Sequence, residues 1–258
     1  AADAVPALAG AYPSLALRHF ATMTSGYRAA GDEPQGSYFH GPSDTPFLPF
    51  PEPLFSPPGS RYAYWDSAMN EFGYVLTRIA EEPIAALFKR RIADPIRMNP
   101  ERWRWGVEAR LDGLDINGGA GNHSAGLHIS ASEIARFGHL FLNEGLWDGR
   151  RLISREWVAM ASRVQVPSDL PLERLSGADG RGVCGFNWWV NGIGAKGERK
   201  WPGAPERAFS ASGYNNNDMF VVPEWEMVVV RLGLDQKEKA IDDATYGEFL
   251  RQIGEAIF

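Results

Sequence analysis

Two apolar runs, "DMFVV" and "MVVVR", stand on either side of Pro223-Glu224-Trp225, and this arrangement leaves the chain little choice locally. It predicts a β-hairpin with strands over 218–222 and 226–232. Val228, Val229 and Val230 form an unbroken β-branched run with no polar alternation, which predicts a strand covered on both faces. One cover follows directly: Tyr246, Phe249, Leu250, Ile253 and Ile257 recur at helical spacing, predicting an amphipathic terminal helix. Upstream, "CGFNWWVNG" reads as a further strand between turn residues.

Before that strand the period is helical. Met69, Phe72, Leu76 and Ile79 mark a helix from residue 66, and Ile84, Leu87 and Phe88 a short one from Pro83 to about Asp94-Pro95. Ser130 and Glu133 have capping-box spacing ahead of Ile134, Phe137 and Phe141, with Gly145 as the stop. Ser154 is a cap for a helix holding Trp157, Val158 and Ala161. Residues 30–60 are rich in Pro and Gly without a period, predicting a long ordered excursion of the kind that forms lids or site walls. Helices first, then an antiparallel sheet, then a terminal helix predict an α+β fold. The expected organisation is one domain over 1–258, with a helical lobe over about 14–165 and the sheet and terminal helix over about 183–258.

Composition removes several functions. A net charge of -6 leaves no basic excess with which to displace counterions from a phosphate backbone, so no nucleic-acid partner is expected. No apolar run approaches the ~20 residues of a membrane-spanning helix. The single cysteine, Cys184, excludes an internal disulfide and a Cys-based zinc cluster. His19, His40, His123, His128 and His139 form no i, i+4 pair, and no phosphate-binding, dinucleotide-binding or H-E-x-x-H motif occurs. Neither a metal nor a cofactor is expected. Nine Trp, eight Tyr and fourteen Phe fit core packing first, and an aromatic-lined ligand cleft second. "YNNND" (214–218) reads as a turn entering a strand, since Asn tolerates a left-handed φ; an ion held by Asn215–Asp218 is the alternative.

Five segments, in order, resemble the serine beta-lactamase-related hydrolases, the group that includes class C beta-lactamases, penicillin-binding DD-peptidases and related esterases. They are "LALRHFATMTSGY" (15–27), "PGSRYAYWDSAMNEFGYVL" (58–76), "SAGLHISASEIARFGHLFLNEGLWDGRRLIS", "GFNWWV" and "FSASGYNNNDMFVVPEWEMVVVRLG". The resemblance implies acyl transfer to a Ser-x-x-Lys serine, on small ester or amide substrates. It puts Tyr64 at the family's proton-carrying tyrosine, a general base and acid. Asp66 falls where the family has Asn, as a weaker catalytic helper. Ser212 and Gly213, in the place of the Lys-Thr-Gly strand, become substrate-binding residues, with an oxyanion-binding N–H near Tyr214. Trp65 and Trp189 become candidate cleft-lining aromatics. A bacterial source and a periplasmic or secreted location follow from the resemblance alone.

Three departures limit what carries over. Asp66 only accepts hydrogen bonds where an amide would also donate, and a carboxylate ahead of a helix is by itself a good N-cap. Ala211 replaces the cation of the third motif, which disfavours substrates with a free carboxylate and favours an esterase or amidase. Most important, Ser-x-x-Lys is absent: Ala86, Ile193, Gly197, Leu234 and Gln236 stand three residues before the five lysines. The nucleophile is then expected from a missing N-terminal segment or a second chain, and this chain alone is expected to be inactive. Ser25 in "TMTSGY" reads as a turn serine rather than a substitute. Two rival readings are a non-catalytic protein that binds a peptide or peptidoglycan fragment, and a glycoside hydrolase, for which no carboxylate pair stands out.

Overall fold

The computed structural model describes residues 13–26, 56–118, 124–173, 178–234 and 241–257. Most of the Pro-rich excursion, with His40, lies outside them, as does His123. The chain divides into two compact units. One comprises Ala1–Asp94, Asn99–Ile129 and Leu170–Asp179, the other Pro95–Met98, Ser130–Asp169 and Gly180–Phe258.

In the second unit an antiparallel sheet runs in the order β10-β9-β8-β7, with β7 Trp189–Val190, β8 Phe209–Gly213, β9 Asn217–Val222 and β10 Met227–Arg231. The expected hairpin is β9–β10, joined through a 3-10 turn at Pro223–Trp225. β9 is the central buried strand, and its side chains alternate between two cores. Met219 and Val221 meet Phe141, Val158, Trp188 and Phe209 on one face; Phe220 and Val222 meet Trp201, Tyr246 and Leu250 on the other. Val228 and Val230 join the first core and Val229 the second, so both faces of β10 are packed as expected. Its side chains nevertheless stay only half-buried, because β10 is the sheet's edge among the described residues.

Helix α4 (Ala131–Leu142) lies against β9 and β10, with Ile134, Phe137 and Phe141 in the first core. The sequence pattern assigned it to the helical lobe; its apolar stripe makes it a layer of the sheet unit instead. Ser130 is its N-cap, but the capping box does not form. The Ser130 side chain makes no cap hydrogen bond, and the buried Glu133 side chain stands 3.5 Å from Arg136. The helix stops at Leu142, and the turn after it takes Glu144 and Gly145 to left-handed φ 53 and +83; a Cβ at Gly145 would fall 2.1 Å from the Ile153 carbonyl oxygen. Helix α5 (Arg155–Ala161) is capped as expected, with Ser154 Oγ accepting from the Trp157 amide at 3.1 Å. Terminal helix α6 (Asp243–Ile257) buries Tyr246 and Leu250, whereas Phe249 and Ile257 are exposed and fall off its packed face. Cys184 is buried, and burial pushes its thiol up to about 12.

The first unit holds α1 (Leu17–Ala21), α2 (Asp66–Ala80) and α3 (Ile84–Phe88), which widens into a π-turn at Lys89–Ala93 and stops at Asp94. Two hairpin-like pairs complete it, β1 (Trp103–Trp105) with β4 (Leu127–Ile129), and β2 (Ala109–Leu111) with β3 (Leu114–Ile116). Phe72 of α2 stacks on Phe20 of α1 at 5.6 Å, and Val75 is fully buried beside them. Ile79, expected inward, is exposed in the last turn, just before Glu81 reverses the chain at φ 56. None of the described helices is long and apolar enough to cross a membrane.

Gly138 is where α4 comes closest to the sheet. A Cβ there would lie 2.7 Å from both Met219 Sδ and a Val228 methyl. Overpacking of this kind costs ~1–3 kcal/mol. Gly138→Ala is therefore expected to lower the urea midpoint by a corresponding amount with an unchanged m-value, and an unchanged midpoint would contradict this packing.

Candidate active site

Each unit contributes one candidate stretch. In the first unit, residues 59–63 are stitched on two sides. Gly59 N–H donates to the Thr24 carbonyl at 2.7 Å and Ala63 N–H to the Met23 carbonyl at 3.0 Å. On the other side Tyr62 exchanges bonds with 171–173: its N–H donates to Pro171 O, and its carbonyl accepts from Glu173 N–H, both at 2.9 Å. Arg61 pairs with Glu173 at 3.4 Å. This brace delivers half-buried Tyr64 to the start of α2.

The loop beneath it is specified in detail. Met23 holds a left-handed φ of 56, sparsely populated for a residue with a side chain. Thr22 Oγ1 donates its single proton to the Arg18 carbonyl at 2.7 Å, so in the 2.8 Å contact between the hydroxyls Thr24 is the donor. His19 Nδ1 accepts from the Ala16 amide at 3.2 Å. Burial, and then the charge of Arg18, hold this imidazole below its usual range. Both facts describe a neutral ring that braces the loop. Gly59, at φ +84, leaves only 3.3 Å between a hypothetical Cβ and His19 Nε2. Ser25 is buried, consistent with a turn serine.

Asp66 is placed differently from expectation. It is the first residue of α2, and the N-cap is Trp65, in extended backbone and without a side-chain cap bond. Its carboxylate still favours the positive end of the helix dipole. Tyr64, Trp65 and Asp66 are thus consecutive and half-buried at one helix entrance.

In the second unit, β8 runs from buried Phe209 and Ser210 to exposed Ser212 and Gly213. β7 pairs with it only at Phe209 and Ser210, so among the described strands Ala211, Ser212 and Gly213 keep one edge unpaired. On the other edge Ser212 is opposite Asp218 and Gly213 opposite Asn217. Tyr214 is 67% exposed at the head of the turn. Asn215 and Asn216 adopt φ 61 and 54, which bears out the turn reading of this run. Arg231 Nη1 donates to both their carbonyls, at 3.1 and 2.8 Å. Trp189 is partly buried in the second core, with Lys200 Nζ 4.4 Å from its ring centroid, so one face of the ring is already occupied. Lys200 is itself held by both oxygens of Asp243 at 2.9 Å.

One residue has a partner that its sequence neighbourhood did not show. Asp218 is buried, yet it accepts from Tyr246 of α6 at 2.5 Å, and Ser212 stands opposite it on β8. Burial pushes its carboxyl above the usual carboxylate range. The hydroxyls of Ser212 and Tyr246, and the charges of Arg231 and Lys200, pull the other way and only partly offset it.

A family model named Beta-lactamase matches residues 2–248. The chain belongs to the beta-lactamase family. The same fold appears in a crystal structure of a family VIII carboxylesterase, with 16% identity, a TM-score of 0.70, and cover of 100% of this chain and 75% of that one. A penicillin-binding protein homologue from Caulobacter crescentus is 17% identical with a TM-score of 0.68, covering 100% of this chain and 75% of that one. EstCE1, described as a hydrolase with promiscuous acyltransferase activity, is 17% identical at a TM-score of 0.66, over 99% and 76%. An uncharacterized protein of Alkalihalophilus pseudofirmus is 25% identical over 127 residues, 49% of this chain; the match spans only 33% of that relative's length. The family bears out the resemblance and the α+β expectation, and makes this a hydrolase-family chain.

A raised folded pKa at Asp218 means the fold favours the neutral carboxyl. That contribution is fully present below the ordinary value of 3.8 and is lost as pH rises through the folded value. Wild type is therefore expected to lose stability relative to Asp218→Asn as pH climbs through this window. Parallel urea curves of the two proteins from pH 3.5 to 8 check it, and a pH-independent difference would refute it.

Proposed function

We propose that this chain carries the proton-transfer and substrate-edge residues of a serine hydrolase that acts on small esters or amides through an acyl-enzyme. The observation that supports this most is the open edge of β8 in a beta-lactamase-family chain. Ser212 and Gly213 end that edge with backbone groups available, and Ala211 supplies no cation. A substrate carboxylate then lacks the partner it would need at position 211, whereas an extended ester or amide can lie along the edge. Tyr64 serves as general base and acid, Asp66 assists at the helix entrance, and an N–H near Tyr214 is the oxyanion donor. Trp65 and Trp189 are apolar contacts for the substrate. No residue of the chain reproduces Ser-x-x-Lys, so the nucleophile comes from sequence outside these 258 residues, in an N-terminal segment or a second chain.

Absence of that pair also favours a second reading, a protein that binds a peptide or peptidoglycan fragment on the same scaffold without turning it over. A fluorophosphonate probe separates the two. This chain is expected to stay unlabelled, while a form that includes the Ser-x-x-Lys segment is labelled. In that form Tyr64→Phe is expected to reduce kcat by ~10²–10⁴ with a small change in KM. Labelling of this chain alone at any serine would refute the proposal. Failure of the longer form to label, with fragments bound tightly, would establish the binding reading instead.

A further inference from the structure

We infer that the cavity between α4, α5 and the turn joining β9 to β10 is a binding site for a zwitterionic amino acid with a large apolar side chain, separate from the substrate edge of β8. The cavity measures about 450 Å³, within the ~300–1,000 Å³ of small-molecule sites. All of it lies in the second unit. Its apolar lining comes from the first core, Phe141 of α4, Val158 of α5 and Phe209 of β8, with Pro223 beside them. Phe209 opens β8, and Ser212 lies ~10 Å further along the strand. The cavity is thus at the opposite end of β8 from the substrate edge.

Most polar groups that line it are already answered within the protein. Arg155 holds the Glu144 carboxylate at 2.8 Å. Ser162 gives its hydroxyl proton to the Val158 carbonyl at 2.8 Å. Asn143 directs both amide protons to His139, one to its carbonyl and one to Nε2, each at 2.9 Å. Two charges are left. Arg207 bonds only through its backbone N–H, which donates to Glu224 Oε1 at 3.0 Å, and its guanidinium has no ion-pair partner among the described residues. The Glu226 carboxylate has none there either, and the two do not pair with each other. Both are fixed by one turn: Glu224 ties Arg207 to it, and Glu226 closes it at a left-handed φ of 50.

An unanswered cation and an unanswered anion beside an apolar lining match a ligand with an apolar body and both charges. The guanidinium takes a carboxylate in its two-pronged geometry. Glu226 takes an ammonium, and the ligand's side chain covers Phe141, Val158 and Phe209. A plain carboxylate would set its own charge against Glu226, and a plain amine would set its charge against Arg207.

L-Phenylalanine is the probe, with 3-phenylpropanoate lacking the ammonium and 2-phenylethylamine lacking the carboxylate. Binding to the full chain is measured by calorimetry and by amide NMR shifts. Wild type is expected to bind L-phenylalanine at least ~5-fold more tightly than either, with shifts concentrated at Phe141, Val158 and Phe209. Arg207→Gln is expected to bring L-phenylalanine down to the amine, whose own affinity does not fall. Glu226→Gln is expected to bring it down to 3-phenylpropanoate, whose own affinity does not fall. Both positions are exposed, and an unchanged urea midpoint shows that each variant folds as wild type does. Ala159→Trp, at an exposed position lining the cavity, is expected to fill it and abolish binding of all three. Equal affinity of the three ligands for wild type would overturn the inference. So would L-phenylalanine binding that neither charge variant weakens, or no L-phenylalanine binding at millimolar concentration. None of these outcomes touches the acyl-transfer reading, which rests on Tyr64 and the far end of β8.

Discussion

The second unit is organised by β9, a strand with no face to spare. Met219 and Val221 are committed to the core under α4, and Phe220 and Val222 to the core under α6. A one-residue slip would exchange the two sets. Register along β9 therefore also fixes β8, and with it the pairing of Ser212 with Asp218 and of Gly213 with Asn217. The polar end of β8 owes its geometry to hydrophobic packing several residues away. Burying four consecutive apolar side chains of β9 removes enough apolar surface from water for this packing to dominate any single polar contact at the strand end.

What could be read from the sequence followed from local pattern. The β9–β10 hairpin, the Ser154 cap, the Gly145 turn and the Asn215-Asn216 turn each depend on a few neighbouring residues, and each formed as the spacing required. Errors arose where a local rule met a tertiary demand. Ser130 and Glu133 have capping-box spacing, but Glu133 is drawn into the buried side of α4. Asp66 has the chemistry of a cap, yet the helix takes it in as its first residue. Ile79 and Phe249 keep helical period but stay exposed among the described residues.

The candidate site was legible only in part, for a related reason. Tyr64, Ser212 and Gly213 stood out because they fall within segments that resemble a family. Asp218 and Tyr246 did not: they are 28 residues apart, one within an Asn-rich turn sequence and one on an apolar helical stripe. Tyrosine on such a stripe reads as core, and its ring does pack there, against Phe220 at 5.2 Å. Only the hydroxyl departs from that role. Pairs of this kind depend on how a terminal helix docks on a sheet, which no spacing rule encodes.

The solitary Cys184 has a practical consequence. Its thiol is buried, and with a pKa of about 12 it holds almost no thiolate at neutral pH. A maleimide reagent would pass over it in the folded protein. Cysteines introduced on the surface, for instance at Tyr214 or beside Tyr64, would then be the reactive thiols without prior removal of the native one. The fold thus provides a silent background for attaching spectroscopic labels to each unit.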